Sequence, residues 1–245
     1  GSCNPPRSFG DLNGFGEDRF VWSGSRTEWL QDRRETLLAM AGEANNKGKR
    51  YVRESMLNIS ASVEAIQNAT AGNLPYSFPN TSLGRACRDV AKVIRAGNTL
   101  GTQFFFLDRG GFDTHSDQNG TLNNNLSDID ASIGALANAA KGLGVWNRMI
   151  IVTMTEFGRT FGNNRAGEDH GDYWSSLVLG GQVNGGRIVN PGPSASEVAA
   201  ADGFLRGHEI HYGQVFWETI AAMGYDPNQV FPNRNFSSYS LNLFR

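Results

Sequence analysis

The chain has 245 residues, with 22 Lys and Arg against 24 Asp and Glu and a formal net charge of -2. That length supports a core burying roughly 70–75% of the unfolded surface, and the near-balance of charge leaves no electrostatic footprint for a nucleic acid. No apolar run of about 18 residues occurs, so no segment reads as a membrane span, and the amino-terminal residues lack the basic and apolar regions of a signal peptide.

From Cys3 to Ser25 the chain is rich in Gly, Pro, Asn and Ser and reads as irregular structure. Thr27 then suits an N-cap, and Trp29, Leu30, Leu37, Leu38 and Met40 form an apolar stripe that ends at Gly42. Val52, Met56, Ile59, Val63 and Ile66 recur at helical spacing, which predicts a second helix and an antiparallel pair over Trp29 to Ala69. Cys3 and Cys87 have no metal-ligand spacing; a disulfide and two thiols both fit, and Cys87 lies on an apolar helical face as a small hydrophobe would.

Gly72 to Asn80 is a loop with two prolines, after which Thr81 or Ser82 caps a helix with the face Leu83, Cys87, Val90, Ile94, stopping at Gly97. Thr102 to Leu107 (TQFFFL) predicts a strand, and Asn123 to Gly142 a helix presenting Leu126, Ile129, Ile133, Leu136 and Ala140 to the core. Met149 to Met154 has the composition of a strand buried on both faces, and Ser175 to Leu179 reads as another, with Arg187 to Val189 as a short edge strand. A last helix is predicted from Tyr212 to Met223. Alternating helices and strands over 81–225 predict an α/β fold: three layers, a mostly parallel sheet and helices on both faces. The whole of 1–245 reads as a single domain, in which 1–80 supplies the irregular segment and the peripheral helix pair.

Two predicted strands end in chemistry. Thr102 to Leu107 runs into Asp108-Arg109-Gly110-Gly111-Phe112-Asp113-Thr114-His115; Met149 to Met154 runs into Glu156 and Arg159, and a Gly/Asn-rich loop then brings Asp169 and His170. Open α/β sheets bind ligands at such carboxyl ends. Carboxylate oxygen and imidazole nitrogen together suit a divalent cation, which makes Asp113, His115, Glu156 and His170 a candidate metal set; zinc, manganese, calcium and magnesium are not distinguished by it. The same Asp-x-His and Asp-His pairs also serve as turn residues with a satisfied imidazole, and Glu156 with Arg159 also fits a plain ion pair. His208 and His211 (GHEIHYG) are spaced i,i+3 rather than as HExxH and read as structural. There is no GxGxxG, Walker or GxSxG motif.

FFFLDRGGFDTHSDQ, LGVWNRMIIVTMTEFGRT and GEDHG followed by LVLGGQVNGG occur in order, with the expected strands between them. In these pieces the chain resembles the DUF1501 family, a bacterial group placed in the alkaline phosphatase/sulfatase-like superfamily. The resemblance runs from about Leu83 to Met223. It implies a doubly wound sheet with a metal centre at its carboxyl edge and metal-dependent hydrolysis or transfer of phosphate or sulfate esters. Residue by residue, it implies that Asp113 and His115 match the superfamily's Asp/His pair, Glu156 the acid of a later Asp-His pair, and His170 the final histidine. Arg159 is the candidate for holding an ester's anionic oxygens, because its planar fork suits a tetrahedral oxyanion.

The chain departs from that pattern twice. Glu156-Phe157 stands where an Asp-His pair is expected, and the strand that leads to the superfamily's nucleophile has no counterpart. The expectation is therefore the carboxyl-terminal part of a longer precursor, completed by a missing amino-terminal fragment or a partner chain and exported to the periplasm or beyond in a bacterium. The competing expectation is a catalytically silent exported binding or structural protein that keeps the fold without the nucleophile.

Overall fold

Helix α1, Ser82–Ala96, begins where the sequence places it. Thr81 is extended and its Oγ1 accepts the amide of Gly84 at 3.0 Å, satisfying one of the free donors of the first turn. It ends at Gly97, whose φ of 60° is left-handed. Leu83, Cys87, Val90, Ala91 and Val93 are buried, and Cys87 is fully so. Arg95, in the last turn, donates to the carbonyls of Ala71 and Asn73 at 2.6 and 2.9 Å, which fixes the preceding loop on the helix end. Gly84 lets the backbone of Pro79 approach where a Cβ would overlap it.

The computed structural model describes residues 65–97, 100–160, 167–171, 173–190, 192–200, 210–236 and 240–245, with isolated helical positions between 35 and 54. The predicted helix pair Trp29 to Ala69 lies largely outside the described residues, as do Cys3 and His208; residues 65–69 are helical. The chain packs as two compact units, one of Gly1–Asp108 with Ala131–Leu136 and one of Arg109–Asp130 with Ala137–Arg245.

Helix α2, Gln118–Gly142, starts five residues before the predicted Asn123, from Asp117 in a left-handed conformation. Its buried positions are Asn125, Ser132, Leu136, Ala139 and Ala140, whereas Leu126 is half exposed. The buried stripe therefore runs through two polar residues, Asn125 and Ser132, and Asn125 is used: its amide donates to the Gly111 carbonyl at 2.5 Å and its oxygen accepts from Arg109 at 2.7 Å.

The strands are short and antiparallel. β1, Ile150–Val152, and β4, Val178–Gly180, pair Ile150 with Gly180 and Val152 with Val178. Thr153 extends that pairing through its amide to Leu177 and its hydroxyl, which accepts the Leu177 amide at 2.8 Å. β2, Gly158–Arg159, pairs with β3, His170–Gly171. Among the described residues the chain is a mixture of helices with two small sheets whose strands run antiparallel, which corrects the expected mostly parallel pairing there; the expected three-layer, alkaline phosphatase-like sheet does not appear among them. The predicted strand Thr102 to Leu107 is irregular, with Phe104 76% and Phe106 83% exposed. A run apolar on both faces needs a neighbouring strand on at least one edge, and no strand among the described residues pairs with it. Arg187 to Val189 likewise forms no strand; Val183 bridges to Phe244 instead.

Helix α3 is the short Ala195–Ala200, and α4, Tyr212–Ala222, matches its predicted span to one residue. His211 caps α4, its Nδ1 accepting the Gly213 amide at 3.0 Å while its ring stacks on Tyr212 and Phe236, the structural role that its spacing suggests. α5, Pro227–Val230, is capped by Asp226 and has Pro in its first turn, where the missing N–H costs nothing. Glu218 holds the final residues by accepting the amides of Leu241 and Leu243.

Candidate metal centre

The loop that follows the irregular 102–107 run is tied to the first half of α2. Arg109 donates through Nε to Asp128 at 2.9 Å and through Nη2 to Asn125, and Gly111 takes a φ of 88° that an L side chain adopts only with strain. Thr114 then turns inward, 6% exposed, with its amide donating to the Phe112 carbonyl at 2.9 Å. Its neighbours Asp113 and His115 are both exposed, so the Asp-x-His spacing places two ligand types on the outer side of one turn.

The other half of the cluster comes from the β2–β3 pair. Arg159 stands opposite His170 in register, and the Thr160 amide donates to the Asp169 carbonyl at 3.0 Å. Gly158 and Gly171 pair with each other, and a Cβ at either would overlap the opposing backbone. Gly167 has the same role toward the first loop, because a Cβ there would overlap the backbone of Thr114 and His115. Gly158 and Gly171 are therefore spacers that let β2 and β3 approach, and Gly167 is the spacer that lets loops 112–115 and 167–170 come together.

Where the loops meet, Asp113 Oδ1 lies 2.7 Å from His170 Nε2, 2.9 Å from His115 Nε2 and 3.7 Å from Arg159 Nη2. The carboxyl of Asp113 is held below its ordinary value, first by the hydrogen bond from His170, against some desolvation, and then by the charges of His115, His170 and Arg159. Planar groups stack behind it: Phe157 lies on His170 with centroids 4.0 Å apart and planes 7° apart, His170 on His115 at 5.1 Å, and the Arg159 guanidinium over Phe157 at 4.9 Å. With their faces occupied in this way, the two imidazoles turn their Nε2 edges to the same oxygen.

Asp113, His115 and His170 each offer a ligand atom within 4.8 Å of the others, a group that could hold a metal ion. One oxygen and two nitrogens suit a borderline divalent cation, and bonds of about 2.0–2.2 Å at tetrahedral angles would put ligand atoms about 3.3 Å apart. The two His-to-Asp113 spacings of 2.7 and 2.9 Å need to open by only about half an ångström to meet that requirement. The residues present therefore fit a cation.

Glu156, the fourth ligand expected from the sequence, is not in this group; the chain bends at Glu156 after β1 ends, and it is Phe157 that reaches His170. Arg159 is close to the cluster but spends its donors on backbone: Nη1 on the Glu168 carbonyl at 2.6 Å, Nη2 on the Phe112 carbonyl at 2.5 Å. Asp169, which the sequence places beside His170 but outside the candidate ligand set, lies 3.2 Å from His115 Nδ1. Its signal was an acid directly before a candidate ligand at the end of a Gly-bounded loop.

Among the described residues, helices and two small antiparallel sheets make a mixed helix-and-sheet protein that carries an exposed O,N,N cluster able to hold a metal ion. The DUF1501 family, described as a protein of unknown function, matches residues 33–241, and the chain belongs to it. Comparison with curated proteins and with solved structures gives no match.

Proposed function

We propose that this protein binds one divalent cation through Asp113, His115 and His170 and uses it to hydrolyse or transfer phosphate or sulfate esters. The convergence of those three donors within 4.8 Å, from loops about 55 residues apart in sequence, is the observation that supports the reading most. Three protein ligands on an exposed edge leave coordination positions open, the arrangement of catalytic rather than structural sites. A bound cation would draw charge from an ester's non-bridging oxygens and lower the barrier to attack. Asp113, kept ionised, supplies the charge that attracts the cation; the two imidazoles set its geometry; and Arg159 adds a fixed positive charge that favours an anionic substrate.

The resemblance to the alkaline phosphatase/sulfatase-like superfamily supports the ester chemistry, export to the periplasm or extracellular space, and completion of the domain by an amino-terminal fragment or partner chain. The exposed apolar run Thr102 to Leu107 is what such a segment would cover with a paired strand. Phe157, stacked on His170 where the superfamily pattern has a metal-binding histidine, favours the second reading of a silent exported binding protein.

Calorimetric titration with zinc, manganese, magnesium and calcium, followed by assays on aryl phosphates and sulfates with and without the proposed amino-terminal segment, separates these readings. One cation per chain, lost in His115→Ala and His170→Ala, is expected. Binding without turnover by either form would decide for the silent protein, and no binding of any cation would refute both the centre and the chemistry.

A further inference from the structure

His115 is held between two carboxylates. Its Nε2 faces Asp113 Oδ1 at 2.9 Å and its Nδ1 faces Asp169 Oδ1 at 3.2 Å. A neutral imidazole carries a single proton, so it can donate to only one of them, and the nitrogen that keeps its lone pair is decided by which carboxylate accepts the hydrogen bond. Asp113 already receives His170 at 2.7 Å and has Arg159 nearby, whereas no other contact of the Asp169 carboxylate is seen among the described residues.

We propose that Asp169 is the positioning residue of the metal centre: it accepts a hydrogen bond from the Nδ1–H of His115, keeping the proton on Nδ1, and so leaves the Nε2 lone pair directed at the cation that Asp113 and His170 share. The inference rests on the cation-binding reading and names a residue that reading does not use. Asp169 is on the opposite edge of the ring from the cluster, so it acts on the cation through His115. Its backbone is fixed independently of any cation, by the Thr160 amide on its carbonyl and by the β2–β3 pairing of the next residue. Outer carboxylates that hold a ligating histidine in this way fix both its tautomer and its ring orientation.

The test uses the whole chain with zinc and manganese as probes and Asp169→Ala and Asp169→Asn as variants. Asp169→Ala should weaken binding roughly 10–100-fold at unchanged stoichiometry. Asp169→Asn, whose amide oxygen still accepts a hydrogen bond from the Nδ1–H, should recover most of that loss. Equal losses in the two variants would mean that only charge is felt, and would overturn the proposal, as would Asp169→Ala affinity within twofold of wild type. Long-range proton–nitrogen NMR on the metal-free protein supplies a second readout: the proton of His115 should sit on Nδ1 in wild type and move to Nε2 in Asp169→Ala. If wild type binds no cation, the cation-binding reading has failed, and the NMR result alone decides whether Asp169 fixes the tautomer.

Discussion

Arg159→Lys keeps the positive charge beside Asp113 and removes the fork, which makes it a sharp probe of what joins the two ligand-bearing loops. Arg159 is only 18% exposed in its side chain and spans the Phe112 carbonyl on one loop and the Glu168 carbonyl on the other. An ammonium on a single stem reaches one of them. One charged hydrogen bond is then lost and one part-buried carbonyl left without it, a cost of about 1.5–3 kcal/mol. At about 2–4 °C per kcal/mol for a chain of this size, the melting temperature should fall by about 3–12 °C. Because the lost bond ties the loop of Asp113 and His115 to that of His170, zinc affinity should fall with it. Calorimetric melting and zinc titration of the same samples measure both effects. If Arg159→Lys melts within 1 °C of wild type and binds zinc equally well, the guanidinium is not the clamp, and the account of how the loops are joined is wrong.

Gly167→Ala should open the approach of the second loop to the backbone of Thr114 and His115, at an overpacking cost of about 1–3 kcal/mol, and weaken zinc binding several-fold; titration alongside urea unfolding checks it. The depressed carboxyl of Asp113 contributes stability that is fully in place above its unfolded value and is lost as pH falls through its lower folded value. The stability gap between wild type and Asp113→Asn in urea should therefore be widest near neutrality and close in acid, and a gap independent of pH would contradict the sign. Thr81→Ala removes the cap on α1 and should cost about 1 kcal/mol, seen as a lower melting temperature with zinc binding unchanged.

Helices α1 and α4 could be read from the sequence because their signals are local: a hydroxyl at the N-cap of α1, apolar residues three and four apart, and Gly97 and Gly224 just beyond the ends. The pairing of β1 with β4 could not, because an apolar run says that a segment is buried without saying which way its partner runs. TQFFFL shows the same limit: composition marks a strand, but a strand exists only once something hydrogen-bonds to it. Asp113, His115 and His170 were legible because residue type and position after predicted strands both pointed to them. Glu156 satisfies the same criteria yet lies outside the group that comes together, at a bend that no spacing reveals, and the backbone contacts that occupy Arg159 exist only after β2 and β3 have paired.

The exposed run at 102–107 also bears on how the chain behaves among its own copies. Six successive residues with three phenylalanines, no charge, no proline and no glycine have the composition of a segment that stacks into cross-β ladders when identical copies meet. With Phe104 and Phe106 uncovered, that segment stays accessible in the folded chain as well as during folding. Asp108 and Arg109, immediately after it, are the charged gatekeepers that oppose such stacking, but Arg109 is already engaged by Asp128 and Asn125. A charge placed within this stretch, as in Phe104→Lys, is therefore expected to raise the concentration at which the chain stays dispersed, with light scattering as the measurement.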